Sequence, residues 1–112
     1  MVQVVVQFNL EKMATFNELI NSEKPVLVDF SAEWCGPCKM MGPILNDLKT
    51  MVGETANIVK VDVDRNPEAA NAFQIRGVPT LIVFHKGQPV WRQSGVVPAA
   101  HLKQVLSQYM PV

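Results

Sequence analysis

Val26-Leu27-Val28-Asp29-Phe30-Ser31-Ala32-Glu33-Trp34-Cys35-Gly36-Pro37-Cys38-Lys39 carries a nearly all-apolar run into a pair of cysteines separated by Gly36 and Pro37. Val26 to Phe30 has the composition of a strand covered on both faces, which makes Asp29 an anomaly within it. Beyond the cysteines, Met41, Leu45, Leu48 and Val52 recur at helical spacing, so a helix is expected to begin at the cysteines themselves. Pro43 interrupts that pattern and should kink the helix, because it has no backbone N–H to donate. The remaining elements are placed around this junction of strand, thiols and helix.

Towards the N-terminus, Gln3 to Phe8 alternates polar and apolar residues with Val4, Val6 and Phe8 on one face, as a half-buried strand near the sheet edge would. Thr15 and Glu18 form a capping box ahead of Phe16, Leu19 and Ile20, so a short helix should follow Thr15 and stop before Pro25. Downstream, Ile58-Val59-Lys60-Val61-Asp62-Val63 returns to a period of two, and Asn66-Pro67-Glu68 supplies a cap, a first-turn proline and a first-turn acid for a helix bearing Ala69, Ala70 and Phe73. Thr80 to Phe84 and Val90 to Gln93 flank Lys86-Gly87, a hairpin signature. Pro98 opens a last helix with Leu102, Val105, Leu106 and Tyr109 on one face. The order predicts an α/β fold, a central mixed sheet of about five strands flanked by about four helices on both faces.

The 112 residues fit a single domain, 1–112, without a repeat, a linker or a low-complexity segment. At 48% hydrophobic residues, folding should remove roughly two-thirds of the extended chain's surface from water, enough for a core without staples. Ten Lys+Arg balance ten Asp+Glu and no basic run occurs, so neither nucleic acid nor an anionic membrane is an expected partner. The longest aliphatic runs, Val4-Val5-Val6 and Leu81-Ile82-Val83-Phe84, fall far short of the ~18–20 apolar residues that span a bilayer. The N-terminus lacks the basic segment and longer apolar stretch of a signal peptide, and a cytoplasmic location is expected.

Cys35 and Cys38 are the two cysteines of the chain, a local pair rather than a framework of staples. The same spacing serves zinc, haem, iron–sulfur clusters and dithiol exchange. Zinc would need further ligands, but His85 and His101 are not spaced as a pair. A covalent haem would need His where Lys39 stands, and a four-cysteine cluster is open only to a dimer sharing it. Dithiol exchange fits the placement, because the N–H groups and dipole of a helix N-terminus stabilise a thiolate. Cys35, nearer the open end, is expected to be the exposed nucleophile, and Cys38, one turn in, the more buried resolving thiol. Pro37 costs little at the first turn, where its N–H would have no helical partner.

Trp34-Cys35-Gly36-Pro37-Cys38-Lys39 is preceded by Val28-Asp29-Phe30 and followed by Pro43, Lys60-Val61-Asp62 and Gly77-Val78-Pro79-Thr80. In this order and spacing the landmarks resemble the thioredoxin family over nearly the whole chain. The resemblance implies that Pro79 is cis and that its loop lies against the dithiol, where the backbone of Val78 pairs with an extended substrate. It places Trp34, Gly36, Pro37, Val78, Gly95 and Val96 around a groove that receives a partner protein. It also implies a catalytic part for Asp29 and Lys60. A desolvated Asp29 carboxylate would accept, through water, the proton of Cys38 as it attacks the mixed disulfide, and Lys60 on the neighbouring strand would pair with it; a strand-end carboxylate with a structural role is the plainer alternative.

The implied activity is that of a thiol–disulfide oxidoreductase, a protein-disulfide reductase with no cofactor beyond its sulfur pair. Its partners would be a thioredoxin reductase and disulfide-containing proteins, and the chain itself a monomer. A binding module that uses the groove without turnover is the rival from another class, and a cluster-bridged dimer ranks below it. Trp91 is read as hairpin packing, Met40, Met41 and Met51 as helix packing, and His85 and His101 as surface residues. Ser31 departs from the family, in which many members carry an aromatic residue at the matching position, and so changes the packing beside the dithiol.

Overall fold

The two apolar periodicities sort the chain into five strands and four α-helices among residues 6–8 and 13–111, those described in the computed structural model. The elements are β1 (Val6–Phe8), α1 (Met13–Ile20), β2 (Val26–Ser31), α2 (Gly36–Val52), β3 (Asn57–Asp62), α3 (Pro67–Ala72), β4 (Thr80–His85), β5 (Gln88–Ser94) and α4 (Ala99–Ser107). Gln3 to Val5 of the first expected strand lie outside the described residues. The strands form one mixed sheet in the order β1-β3-β2-β4-β5, with β1 at one edge. β3 runs parallel to β1 and β2, whereas β4 is antiparallel to both β2 and β5.

Alternation along the central strands divides the core between the two faces of the sheet. Leu27, Ile58, Leu81 and Val83 pack with Met41, Leu45 and Leu48 of α2 and Leu102 and Leu106 of α4. Val26, Val28, Phe30, Val59, Val61, Ile82 and Phe84 face the opposite way, towards Phe16 and Ile20 of α1 and Ala69 of α3. Phe16 is fully buried there, with ring centroids 5.5 Å from Phe73 and 5.9 Å from Phe84. Each such aromatic contributes about 1.5–3 kcal/mol through burial. β2 is buried along its whole length because both faces are covered, and this supported central strand aims the following residues at the start of α2. α2 continues through Pro43.

Several local expectations need revision. α1 starts at Met13, so Thr15 sits inside its first turn rather than at its cap; the spacing of Phe16, Leu19 and Ile20 is compatible with either start. Asn66 holds the N-cap position of α3, yet its side-chain amide donates to the Asp62 carbonyl (2.9 Å). The hairpin turn has positive φ at Lys86 (54°) as well as Gly87 (83°), the pattern of a type I′ turn matched to strand twist. Of the three methionines assigned to helix packing, Met41 is buried, whereas Met40 and Met51 are exposed on the outer side of α2. Tyr109 lies past the end of α4 and packs on the core beside Met110.

The histidines are not simple surface groups. His85 is half-buried, bonded through Nε2 to the Glu23 carbonyl (3.0 Å) and 5.4 Å from the Tyr109 ring. His101 is exposed but meets Trp91 edge to face at 6.0 Å, while Trp91 packs on the core as expected of a hairpin residue.

Candidate active site

Cys35 stands at the N-cap of α2 and Cys38 one turn further in, joined as a disulfide with Cα atoms 5.3 Å apart. The Cys35 sulfur accepts from the Cys38 N–H at 3.1 Å, the bond that a Ser or Asp oxygen makes in a capped helix. In the reduced protein the same N–H would face a thiolate, a stronger acceptor, at the positive end of a long helix dipole. Gly36 and Pro37 are exposed between the cysteines, and the missing N–H of Pro37 falls in a first turn that has no use for it.

Cys35 is not the exposed sulfur expected from its place at the open end. It is only 4% accessible and Cys38 3%. The cause is packing: both cysteines cluster with Ala32, Val63 and Val78. The Val78 carbonyl oxygen lies 3.6 Å from the Cys35 sulfur. The Val78–Pro79 peptide is cis, the Pro79 carbonyl accepts from the Gly95 N–H (2.8 Å), and Thr80 Oγ1 donates to Gly77 (2.6 Å). Gly95 adopts a positive φ of 93° at this junction, and Val96 beside it is exposed. Trp34, Val63, Ile75, Arg76, Gly77 and Val78 line a groove of about 110 Å³ next to the disulfide.

Trp34 is 72% exposed, yet its indole N–H donates to Asp64 Oδ2 at 2.8 Å, which fixes the ring beside the cysteines. Asp64 is in turn set by a turn in which its N–H and that of Arg65 donate to Asp62 Oδ1. Asp64 was missed from sequence; the Asp62-x-Asp64 turn after β3 carries no mark that it faces Trp34.

Asp29 shares the α2 face of β2 with Leu27 and lies opposite Leu81 and Lys60 in register. It is 1% accessible and neither carboxylate oxygen has a hydrogen-bond partner among the described residues. Burial raises its pKa from 3.8 to about 7, against the lowering influence of the Lys60 charge. Lys60 is half-buried, and no direct ion pair joins the two side chains among the described residues. Lys60 and Cys38 both line a cavity of about 280 Å³ with Ser31, Ala32, Glu33, Lys39 and Asp62. Ser31 is buried at its wall, where a small side chain leaves room that an aromatic one would occupy. Among the described residues no three His, Cys, Asp or Glu side chains converge as a metal site requires, and no helix is long and apolar enough to cross a membrane.

The family profile described as Thioredoxin matches residues 6–108. The chain is 48% identical over 94 residues to the thioredoxin of Mycobacterium tuberculosis, an alignment spanning 84% of this chain and 81% of that one. It is 46% identical over 96 residues to the bifunctional thioredoxin reductase/thioredoxin of Mycobacterium leprae, spanning 86% of this chain and 21% of that one. The solved structure of a thioredoxin from Nicotiana alata superposes with a TM-score of 0.86 at 29% identity, covering 99% of this chain and 96% of that chain.

Proposed function

Since this chain belongs to the thioredoxin family, has its fold and is a thiol–disulfide oxidoreductase, we propose that it acts as a protein-disulfide reductase recycled by a thioredoxin reductase, as a monomeric cytoplasmic protein whose residues 1–112 form one domain. The observation that carries this reading is the Cys35 sulfur at the N-cap of α2, bonded to the Cys38 N–H at 3.1 Å and 3.6 Å from the Val78 carbonyl.

In the reduced protein, Cys35 thiolate attacks one sulfur of a substrate disulfide, forming a mixed disulfide and expelling the other substrate sulfur as a thiolate. Cys38 then loses its proton and attacks the Cys35 sulfur, which releases the second substrate thiolate and leaves the Cys35–Cys38 disulfide. Two electrons pass from the protein dithiol to the substrate. Helix capping and dipole favour Cys35 as the attacking thiolate. Asp29, whose pKa burial raises to about 7, acts in its ionised form: the carboxylate takes up the Cys38 proton through water, with Lys60 as its electrostatic neighbour. We infer that the face carrying Trp34, Gly36, Pro37, Val78, Pro79, Gly95 and Val96 receives the substrate backbone. The M. leprae relative, whose name joins a reductase to a thioredoxin, supports recycling by a partner of that kind.

The test is the Cys35–Cys38 reduction potential, read by thiol trapping and mass spectrometry in graded dithiothreitol buffers. A value near or below about −250 mV is expected of an electron donor, and one above about −200 mV would assign it to disulfide formation or isomerisation instead. The double variant Cys35→Ser, Cys38→Ser should lose all reduction of protein disulfides by NADPH and thioredoxin reductase; an unaltered protein that reduces no protein disulfide, with partner binding that survives in the double variant, would mark a binding module instead.

A further inference from the structure

The segment Arg76-Gly77-Val78 that borders the disulfide is held at its downstream end by Thr80 and Gly95, and its upstream end is tied down by a residue with no assigned part in the site. Arg92 lies on β5 opposite Ile82, on the sheet face covered by α1 and α3. Its guanidinium donates through Nη1 to the Phe73 carbonyl and through Nη2 to the Gln74 carbonyl at 2.9 Å.

These two carbonyls close the end of α3, where Phe73 is the C-cap and Gln74 takes a positive φ of 52°. A planar fork that engages two successive carbonyls sets their direction as well as their distance, which a single ammonium cannot do. Ile75 is then fixed by its N–H bond to the Ala70 carbonyl (2.9 Å). β5 and the residue that follows it therefore grip both ends of the segment: Arg92 holds residues 73 and 74, while Ser94 meets Thr80 at 3.0 Å and the Gly95 N–H donates to the Pro79 carbonyl at 2.8 Å.

We propose that Arg92 is a positioning residue for substrate recognition: by clamping the Phe73 and Gln74 carbonyls to β5 it holds Arg76-Gly77-Val78 in the geometry that receives the extended backbone of a protein disulfide. The inference rests on the protein-disulfide reductase reading above. Because Arg92 touches neither cysteine, the dithiol chemistry itself is independent of it.

Arg92→Ala and Arg92→Lys are compared with the unaltered protein in the reduction of insulin, whose backbone must dock, and of a small aromatic disulfide, which needs only the sulfur. Arg92→Ala should lose about tenfold in kcat/KM on insulin, through KM, while the small disulfide is reduced at an unchanged rate. Arg92→Lys, able to reach one carbonyl, should fall between. Amide exchange at Ile75, whose N–H bonds to the Ala70 carbonyl, should quicken in Arg92→Ala by a similar factor. An equal loss on both substrates, or none on either, overturns the positioning role, since general destabilisation would move both alike. Unchanged exchange at Ile75 overturns it as well, whatever the rates. If the unaltered protein reduces the small disulfide but never insulin, the reductase reading fails instead, and exchange alone then decides whether Arg92 holds the loop.

Discussion

Replacing Asp29 with asparagine should stabilise the oxidised protein, by an amount that grows with pH. The carboxyl is 1% accessible, has no hydrogen-bond partner among the described residues, and has its pKa raised from 3.8 to about 7 because burial outweighs the attraction of Lys60. Between these values the folded state keeps a proton that the unfolded chain has given up. The stability of the unaltered protein therefore falls as pH rises from about 4 to about 7 and levels off above, the sign expected for an acid whose folded pKa is raised. The separation corresponds to about 4 kcal/mol of preference for the uncharged form. Asparagine cannot ionise, so its advantage should increase through this window and then stay constant. The buried amide adds a cost of about 1–3 kcal/mol that does not vary with pH. Urea unfolding of both oxidised proteins, followed by circular dichroism from about pH 4 to about pH 9, measures the difference without interference from cysteine titration. A difference that stays flat across this range would refute the desolvated Asp29.

Asp29→Asn should also slow release of the mixed disulfide while sparing its formation, so rapid-quench mass spectrometry should show the mixed disulfide accumulating; unchanged release kinetics would remove Asp29 from the reaction. Lys60→Gln removes the charge that opposes desolvation, so the pH at which stability levels off should move upward in the same unfolding series, and a downward move would contradict the assignment. Leu48→Ala empties a fully buried position between α2 and the sheet and should cost about 2–5 kcal/mol in urea unfolding. A loss below about 1 kcal/mol would mean that this core is not packed as described.

What could be read from sequence was whatever is encoded by short-range pattern. The uniform apolar run of Val26 to Phe30 announced a strand buried on both faces, and the structure places it between β3 and β4 with a core on either side. Lys86-Gly87 announced a tight hairpin, although the positive φ of Lys86 had no signature of its own because lysine is not a residue that favours it. The start of α1 was misplaced because a threonine followed three residues later by glutamate also occurs inside a first turn. The burial of Cys35 could not be foreseen from its position at a helix start, since it depends on Val78, which lies 43 residues away in sequence.

Asp29 and Arg92 mark the two sides of that limit. Asp29 was conspicuous because a charged residue interrupts an apolar run, and a local anomaly of that kind survives any uncertainty about the fold. Arg92 sits in an exposed edge strand, where a long cationic side chain is unremarkable. Its partners are backbone carbonyls, which every residue carries, so nothing in the identities of Phe73 or Gln74 points to it. The same holds for the Gly95 N–H on Pro79. The groups that do the chemistry are thus recognisable by type, whereas those that set its geometry act on the main chain and become visible only when β5 is seen lying against the loop. Substitutions at β5 should accordingly alter which disulfides are reduced before they alter whether the dithiol can reduce them.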